Sequence, residues 1–118
     1  MTYDYHQKDG ALIHGPEFVG TGYSGHGEGR NNPALQKKQK VGPIPQGLYK
    51  IGPAYQHARL GPCVMNLDPM PGTDTFGRSL FCIHGDNANH DASEGCIILG
   101  PTIRRQIAAS SDRLLLVH

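Results

Sequence analysis

Glycine and proline recur so often in this chain that no long helix can form. Sixteen glycines and nine prolines fall among 118 residues, about a fifth of the chain where about 12% is ordinary. Proline lacks the helical N–H donor and glycine carries a high backbone entropy, so the expectation is short strands, turns and long functional loops. The length suits one core, and residues 1–118 are expected to form a single domain. A hydrophobic share of 37% with balanced charge argues against disorder. A formal net charge of +1 provides no overall field to draw the protein onto nucleic acid or an anionic membrane. The apolar runs, such as residues 97–99 and 114–117, are far short of the about 18 residues that cross a bilayer. The opening M-T-Y-D-Y-H-Q-K-D-G has no basic patch followed by an apolar stretch, so no secretory leader is expected in it.

Periodicity and punctuation place the elements. Residues 2–14 alternate around Tyr3, Tyr5 and Leu12, and Asp9-Gly10 is a dipeptide favoured in tight hairpin turns, which predicts a β-hairpin. Residues 18–23 read as a strand, and 24–33 as a loop rich in glycine and asparagine. Gly42-Pro43-Ile44-Pro45-Gln46-Gly47 reads as a rigid turn feeding a strand at 48–51. A loop is expected over 66–77. It precedes a central strand over 79–84, where Leu80, Phe81, Cys82 and Ile83 form an unbroken apolar run. A short helix is expected to run from Gly100-Pro101-Thr102 to Ala109, and residues 113–117 to close the chain as a strand.

Chemistry concentrates in I-H-G-D-N-A-N-H-D-A-S-E-G-C-I-I-L, residues 83–99. A free thiol with a pKa of about 8.5 is only slightly ionised at neutral pH, so a nucleophilic cysteine needs a neighbouring base or cation. His84, twelve positions before Cys96, can meet it if a strand end and a returning loop converge. Gly95 removes a side chain where backbone N–H groups would face a tetrahedral oxyanion. Cys63, Cys82 and Cys96 are an odd set at wide spacing, which completes no disulfide framework and forms no C-x-x-C zinc pair.

The pair Ile83-His84-Gly85 and Ser93-Glu94-Gly95-Cys96-Ile97-Ile98-Leu99 resembles the catalytic motif of YkuD-like L,D-transpeptidases. The segment G-P-I-P-x-G-x-Y-x-I, residues 42–51, resembles the turn and strand ahead of that active site. With Y-S-G-x-G (23–27) and N-N-P (31–33), the chain looks most like type VI secretion L,D-transpeptidase effectors, a resemblance spanning residues 17–100. It implies a mainly β, β-rich α+β fold, a YkuD-like sheet or sandwich with one or two short helices. It further implies a cysteine enzyme that acts on peptidoglycan tetrapeptide stems, expelling the terminal D-Ala by L,D-carboxypeptidase or L,D-transpeptidase chemistry. Within that resemblance Cys96 is the nucleophile, His84 the base, and the Gly85 carbonyl orients the imidazole. Ser93 and Gly95 match motif positions, and the N–H groups of Gly95 and Cys96 match the oxyanion hole. Glu94 stands where a second histidine is usual, and Ile98 where an arginine is usual. No cofactor or metal is implied. The implied partners are peptidoglycan stems, a cognate immunity protein and secretion components, with the chain acting as a monomer in the target periplasm.

Other residues carry weaker expectations. Tyr23, His26, Asp86, His90 and Glu94 are candidates for substrate contact, although His90, Asp86 and Asp91 equally suit a solvated turn. Cys63 and Cys82 read as inert core thiols. His14, His57 and His118 read as surface or hydrogen-bonded residues, and Arg104-Arg105 as a solvated helix face. Arg30, Lys37, Lys38 and Lys40 are surface cations that could meet stem carboxylates. Two other classes compete with the cysteine enzyme: a metal-dependent hydrolase using His84, Asp86, His90 and Cys96 or His26, and a catalytically silent wall-binding or phage-tail module.

Overall fold

Tyr3 and Tyr5 are buried while Asp4 between them stays half-exposed, the period-two pattern of a strand with one covered face. The computed structural model describes residues 1–89 and 92–118, and His90 and Asp91 lie outside that set. The strands are β1 (Tyr3–Tyr5), β2 (Ala11–His14), β3 (Glu17–Thr21), β4 (Tyr23–Ser24), β5 (Gly47–Ile51), β6 (Tyr55–His57), β7 (Gly61–Pro69), β8 (Cys82–His84), β9 (Ile97–Ile98) and β10 (Leu114–Val117). One α-helix, α1 (Pro101–Ala109), stands between β9 and β10, so the fold is mainly β as expected. The sheet runs β3-β2-β1-β10-β5-β7-β8-β9-β4, with β6 paired to β7. Most neighbours are antiparallel, and β1–β10 and β8–β9 are parallel.

The apolar sides of these strands meet helix residue Ile107 in one core that includes Tyr49, Leu67, Phe81, Ile83, Ile97, Leu99 and Leu115. Tyr49 and Phe81 pack edge to face at 5.9 Å. The proline-glycine turn before β5 is tied down from three directions. Ile44 N–H donates to Ser24 Oγ, Gln7 Nε2 donates to the Ile44 carbonyl, and Tyr49 Oη donates to the Pro45 carbonyl, each at 2.8 Å. A turn with its backbone groups engaged in this way offers a rigid wall to whatever lies beside it.

Several expectations are corrected. The opening hairpin forms, but β1 and β2 are joined by residues 6–10 instead of a two-residue turn, with Gly10 at φ +73° and Asp9 Oδ1 accepting from Ala11 N–H. The strand expected over 18–23 is divided at Gly22 into β3 and β4, which pair with different partners. The loop expected over 66–77 begins only after β7, the longest strand, which the reading overlooked together with β6. Buried Val64, Met65 and Leu67 drive β7, and its prolines lie near its ends. The strand expected over 79–84 shrinks to β8, because Leu80 takes φ +64° and turns out to solvent at 92% exposure. Arg104 is buried rather than solvated, donating from Nε to the Leu99 carbonyl at 3.0 Å and from Nη1 to the Pro62 carbonyl at 2.7 Å. Arg105 is exposed as expected.

Strand β10 lies between β1 and β5 and directs Leu115 into the core and Leu114 outward. Leu115→Ala should therefore cost about 2–5 kcal/mol, and Leu114→Ala no more than about 0.5 kcal/mol. Thermal unfolding followed by circular dichroism checks the contrast; equal losses would contradict this strand orientation.

Candidate active site

Parallel pairing of β8 with β9 sets the site. Ile83 lies opposite Ile97 and His84 opposite Ile98, so the residue before each pair, Cys82 and Cys96, also meets its counterpart. The two Sγ atoms are 3.1 Å apart. Cys82 and His84 are two residues apart on one strand and so project from the same face. The sulfur and imidazole donor atoms of Cys82, His84 and Cys96 all lie within 4.8 Å of one another. His84 Nδ1 sits 2.8 Å from the Gly85 carbonyl oxygen, an arrangement that places the Nδ1 proton there and leaves Nε2 for the sulfur side. The Leu80 carbonyl lies 3.7 Å from Cys96 Sγ.

These contacts bias the protonation states. The hydrogen bond from Cys82 lowers the pKa of Cys96 most; burial opposes the shift, and His84 reinforces it. Cys82 is pushed the other way by the same hydrogen bond and by burial, so it keeps its proton and donates it toward Cys96. Burial opposes protonation of His84, but the facing Cys96 and the Gly85 carbonyl together outweigh it and raise the pKa of the ring. These shifts favour a thiolate at Cys96 beside a protonated His84, with the Cys82 thiol as hydrogen-bond donor.

The loop that carries Cys96 is held from within. Ser93 Oγ is buried, donates to the Cys96 carbonyl at 2.6 Å, and accepts from Gly25 N–H at 2.9 Å and Gly95 N–H at 3.2 Å. Ser24 Oγ adds a bond to the Gly95 carbonyl at 3.3 Å. Gly95 takes φ +129°, and a β-carbon there would stand 2.4 Å from an Arg78 guanidinium nitrogen. That arginine, only 4% exposed, donates to the carbonyls of Gln36, Gly42, Pro43 and Glu94, and so ties the proline-glycine turn to the Cys96 loop. On the other side of the site, a β-carbon on Gly85 would stand 2.8 Å from Arg104 Nη2.

Cys96 and His84 open onto a cleft of about 1040 Å³. His26 and Glu94, both expected at the substrate, line it, as does Gly95. Tyr23 and Asp86 are placed elsewhere. Tyr23 Oη donates to Asp86 Oδ1 at 2.6 Å and accepts from Ala92 N–H at 3.0 Å, linking Asp86 to Ala92. Burial and the hydrogen bond to Asp86 raise the Tyr23 pKa to about 12. Both residues line a separate cavity of about 410 Å³ that neither Cys96 nor His84 reaches. His90 lies outside the described residues. Of the basic residues, Lys38 pairs with Glu28 at 2.8 Å, Arg30 stacks over the Tyr23 ring and Lys37 over Phe76, whereas Lys40 faces the cleft.

Sequence reasoning missed four contributors. Cys82 is buried as expected, yet it is not inert, because its thiol touches that of Cys96; the clue was C-x-H within a strand, which puts both side chains on one face. Arg59 and exposed Leu80 line the cleft, and nothing in their local sequence marks them. Arg78 acts only through backbone carbonyls far away in sequence, which no local pattern reveals. The expected oxyanion donor at Gly95 is also revised, since its N–H is bonded to Ser93 Oγ.

Residues 19–114 match the family model for the Tlde1 domain, and the chain belongs to that family. Tlde1 domains are enzymatic, antibacterial effectors of type VI secretion that act in a target cell. Comparison with curated proteins and with solved structures gives no match in either. Among the described residues no helix is long and apolar enough to cross a membrane.

The thiolate assignment has a direct test. Alkylation of Cys96 by iodoacetamide tracks its ionised fraction, so its rate should fall only as pH drops through a midpoint well below the ordinary thiol value of about 8.5, and should be nearly flat between pH 7 and 8. Cys82→Ala should move that midpoint upward. A wild-type midpoint near 8.5, read by mass spectrometry of the labelled peptide, would refute the ion pair.

Proposed function

We propose that this protein is a cysteine-dependent peptidoglycan-modifying effector that acts on tetrapeptide stems. The observation that supports it most is the Cys96 thiol next to His84, with the Gly85 carbonyl orienting the ring, at the floor of an open cleft. The Cys96 thiolate attacks the carbonyl that joins the diaminopimelate residue to the terminal D-Ala. The carbonyl oxygen takes up negative charge, and the Cys96 N–H is assigned as its donor because the Gly95 N–H is engaged. Collapse expels D-Ala, whose amine takes the proton from the His84 imidazolium. Neutral His84 then removes a proton from water, from a D-amino acid or from the amine of another stem, which attacks the thioester and frees Cys96. Hydrolysis, exchange and cross-linking share this acyl-enzyme.

The arginine usual two positions after the cysteine in housekeeping L,D-transpeptidases is replaced by Ile98, which is buried in β9. Arg59 and Lys40 at the cleft are assigned the stem carboxylates in its place. The chain works as a monomer in the target periplasm, delivered by the secretion machinery, and a cognate immunity protein covers the cleft in the producing cell. Asp86 is held by Tyr23, outside the cluster of Cys82, His84 and Cys96, which favours the thiol enzyme over a hydrolase that uses His84 and Asp86 together as metal ligands.

Two measurements test the reading. Cys96→Ala should abolish processing of purified muropeptides with the fold retained, and His84→Ala should slow it by about 10²–10⁴-fold. Mass spectrometry of the stems reads both, and comparable processing by folded Cys96→Ala would sink the assignment. In a susceptible host, the chain fused to an export leader should deform growing cells, while the cytoplasmic form and the exported Cys96→Ala form should not. Equal toxicity from the cytoplasmic form would move the target away from the wall.

A further inference from the structure

Two thiols and one imidazole that converge within 4.8 Å are more than a Cys-His pair needs. A nucleophile with its base is complete with Cys96 and His84, and the second sulfur adds a third donor of the kind that thiophilic metals select. Cys82 and His84 lie on the same face of β8, and Cys96 immediately precedes β9, with its sulfur 3.1 Å from that of Cys82. The Gly85 carbonyl holds His84 Nδ1, which is the outer contact that metal-bound histidines usually make, and it leaves Nε2 turned toward the sulfurs. Buried Cys82 and His84 form the back of the site, while half-buried Cys96 borders the cleft, so a fourth position would open to solvent.

We propose that Cys82, His84 and Cys96 form a Cys2His site for a zinc-type divalent cation, and that its occupation holds the protein inactive. Tetrahedral zinc with bonds of about 2.3 Å to sulfur sets two sulfurs about 3.8 Å apart, so the present 3.1 Å separation has to widen by roughly two-thirds of an ångström. Side-chain rotation at Cys96, next to Gly95 and on the open side, can supply that. Three protein ligands with an open fourth position is the arrangement of an accessible metal rather than of a closed structural one. The ion would occupy the electron pair with which Cys96 attacks, so binding and attack exclude each other. Hard cations such as magnesium and calcium prefer oxygen donors and would not compete. The inhibitory consequence rests on Cys96 being the nucleophile, while the binding itself does not.

The test keeps the full chain reduced, so that the neighbouring sulfurs are not joined. Zinc is titrated against a chromophoric chelator, and cobalt(II) is used as the spectroscopic probe. Expected are one equivalent of either metal and a thiolate-to-cobalt charge-transfer band, with no binding of magnesium. Cys82→Ser and Cys96→Ala should each lower affinity by at least about 100-fold, more than the loss of an outer-shell contact, and should weaken the band. Cys63→Ser, which alters a thiol packed against the core and outside the donor cluster, should bind as the wild type does. Zinc should also protect Cys96 of the wild type from alkylation, with reversal by EDTA, a reading that stands even if a variant fails to fold. Unchanged affinity in folded Cys82→Ser, a cobalt spectrum without the charge-transfer band, or alkylation indifferent to zinc would each overturn the site. Metal-free protein that binds zinc as described but leaves muropeptides untouched would instead overturn the proposed reaction.

Discussion

Everything at this site depends on one short stretch of parallel pairing. Strands β8 and β9 share only the pairs Ile83–Ile97 and His84–Ile98, yet that register decides which side chains meet. A slip of one residue would turn every side chain of one strand to the opposite face, which would bury His84 among apolar residues and send Ile83 to the thiol. The register is fixed by burial, because Ile83, Ile97 and Leu99 all enter the core with nearly no exposure. The hydrophobic effect thus positions a charged pair that it never touches.

A chain so rich in glycine and proline has few regular hydrogen bonds with which to hold its loops, and two buried arginines do much of that work. Arg78 and Arg104 each reach backbone carbonyls from segments distant in sequence. Hydrogen bonds from a charged donor contribute about 1.5–3 kcal/mol apiece, which offsets the burial of a guanidinium because four carbonyls converge on Arg78 and two on Arg104. The same crowding explains two glycines of the motif. Gly95 and Gly85 leave no room for a β-carbon against Arg78 and Arg104 respectively, so these glycines serve packing as well as backbone freedom.

The mainly β architecture, the last helix and the Cys96–His84 encounter were legible in the sequence because each has a local cause: punctuation, a Pro-started i, i+4 pattern, and a motif flanked by apolar strands. What was not legible has nonlocal causes. Strand β7 carries Pro62, Asn66 and Pro69 and reads as irregular, and only its place between β5 and β8 gives Val64, Met65 and Leu67 a core to enter. Leu80 interrupts an apolar run that looked continuous, since a left-handed backbone has no signature in a leucine. Tyr23 and Asp86 suited a substrate site by residue type, but each satisfies the other. Cys82 was read as inert because burial is the common fate of cysteine, and its role depends on which residue the parallel register sets across from it.

The second thiol raises a question about rate that simple ionisation does not answer. With its pKa lowered to about 5, against about 8.5 for a free thiol, Cys96 goes from a few per cent ionised at neutral pH to almost fully ionised, a gain of about 30-fold in thiolate. Its intrinsic nucleophilicity falls with a Brønsted coefficient of about 0.4–0.5, which over that shift returns about 25- to 55-fold. The two effects nearly cancel, so a hydrogen bond from Cys82 gives Cys96 little extra speed in attack. What the lowered pKa does change is the location of the proton, which is biased toward His84 before substrate arrives. The leaving amine of D-Ala is a poor leaving group unless it is protonated as the C–N bond breaks, and an imidazolium already formed and oriented by the Gly85 carbonyl meets that need. In the proposed reaction, Cys82 therefore acts on the departure of D-Ala more than on the attack.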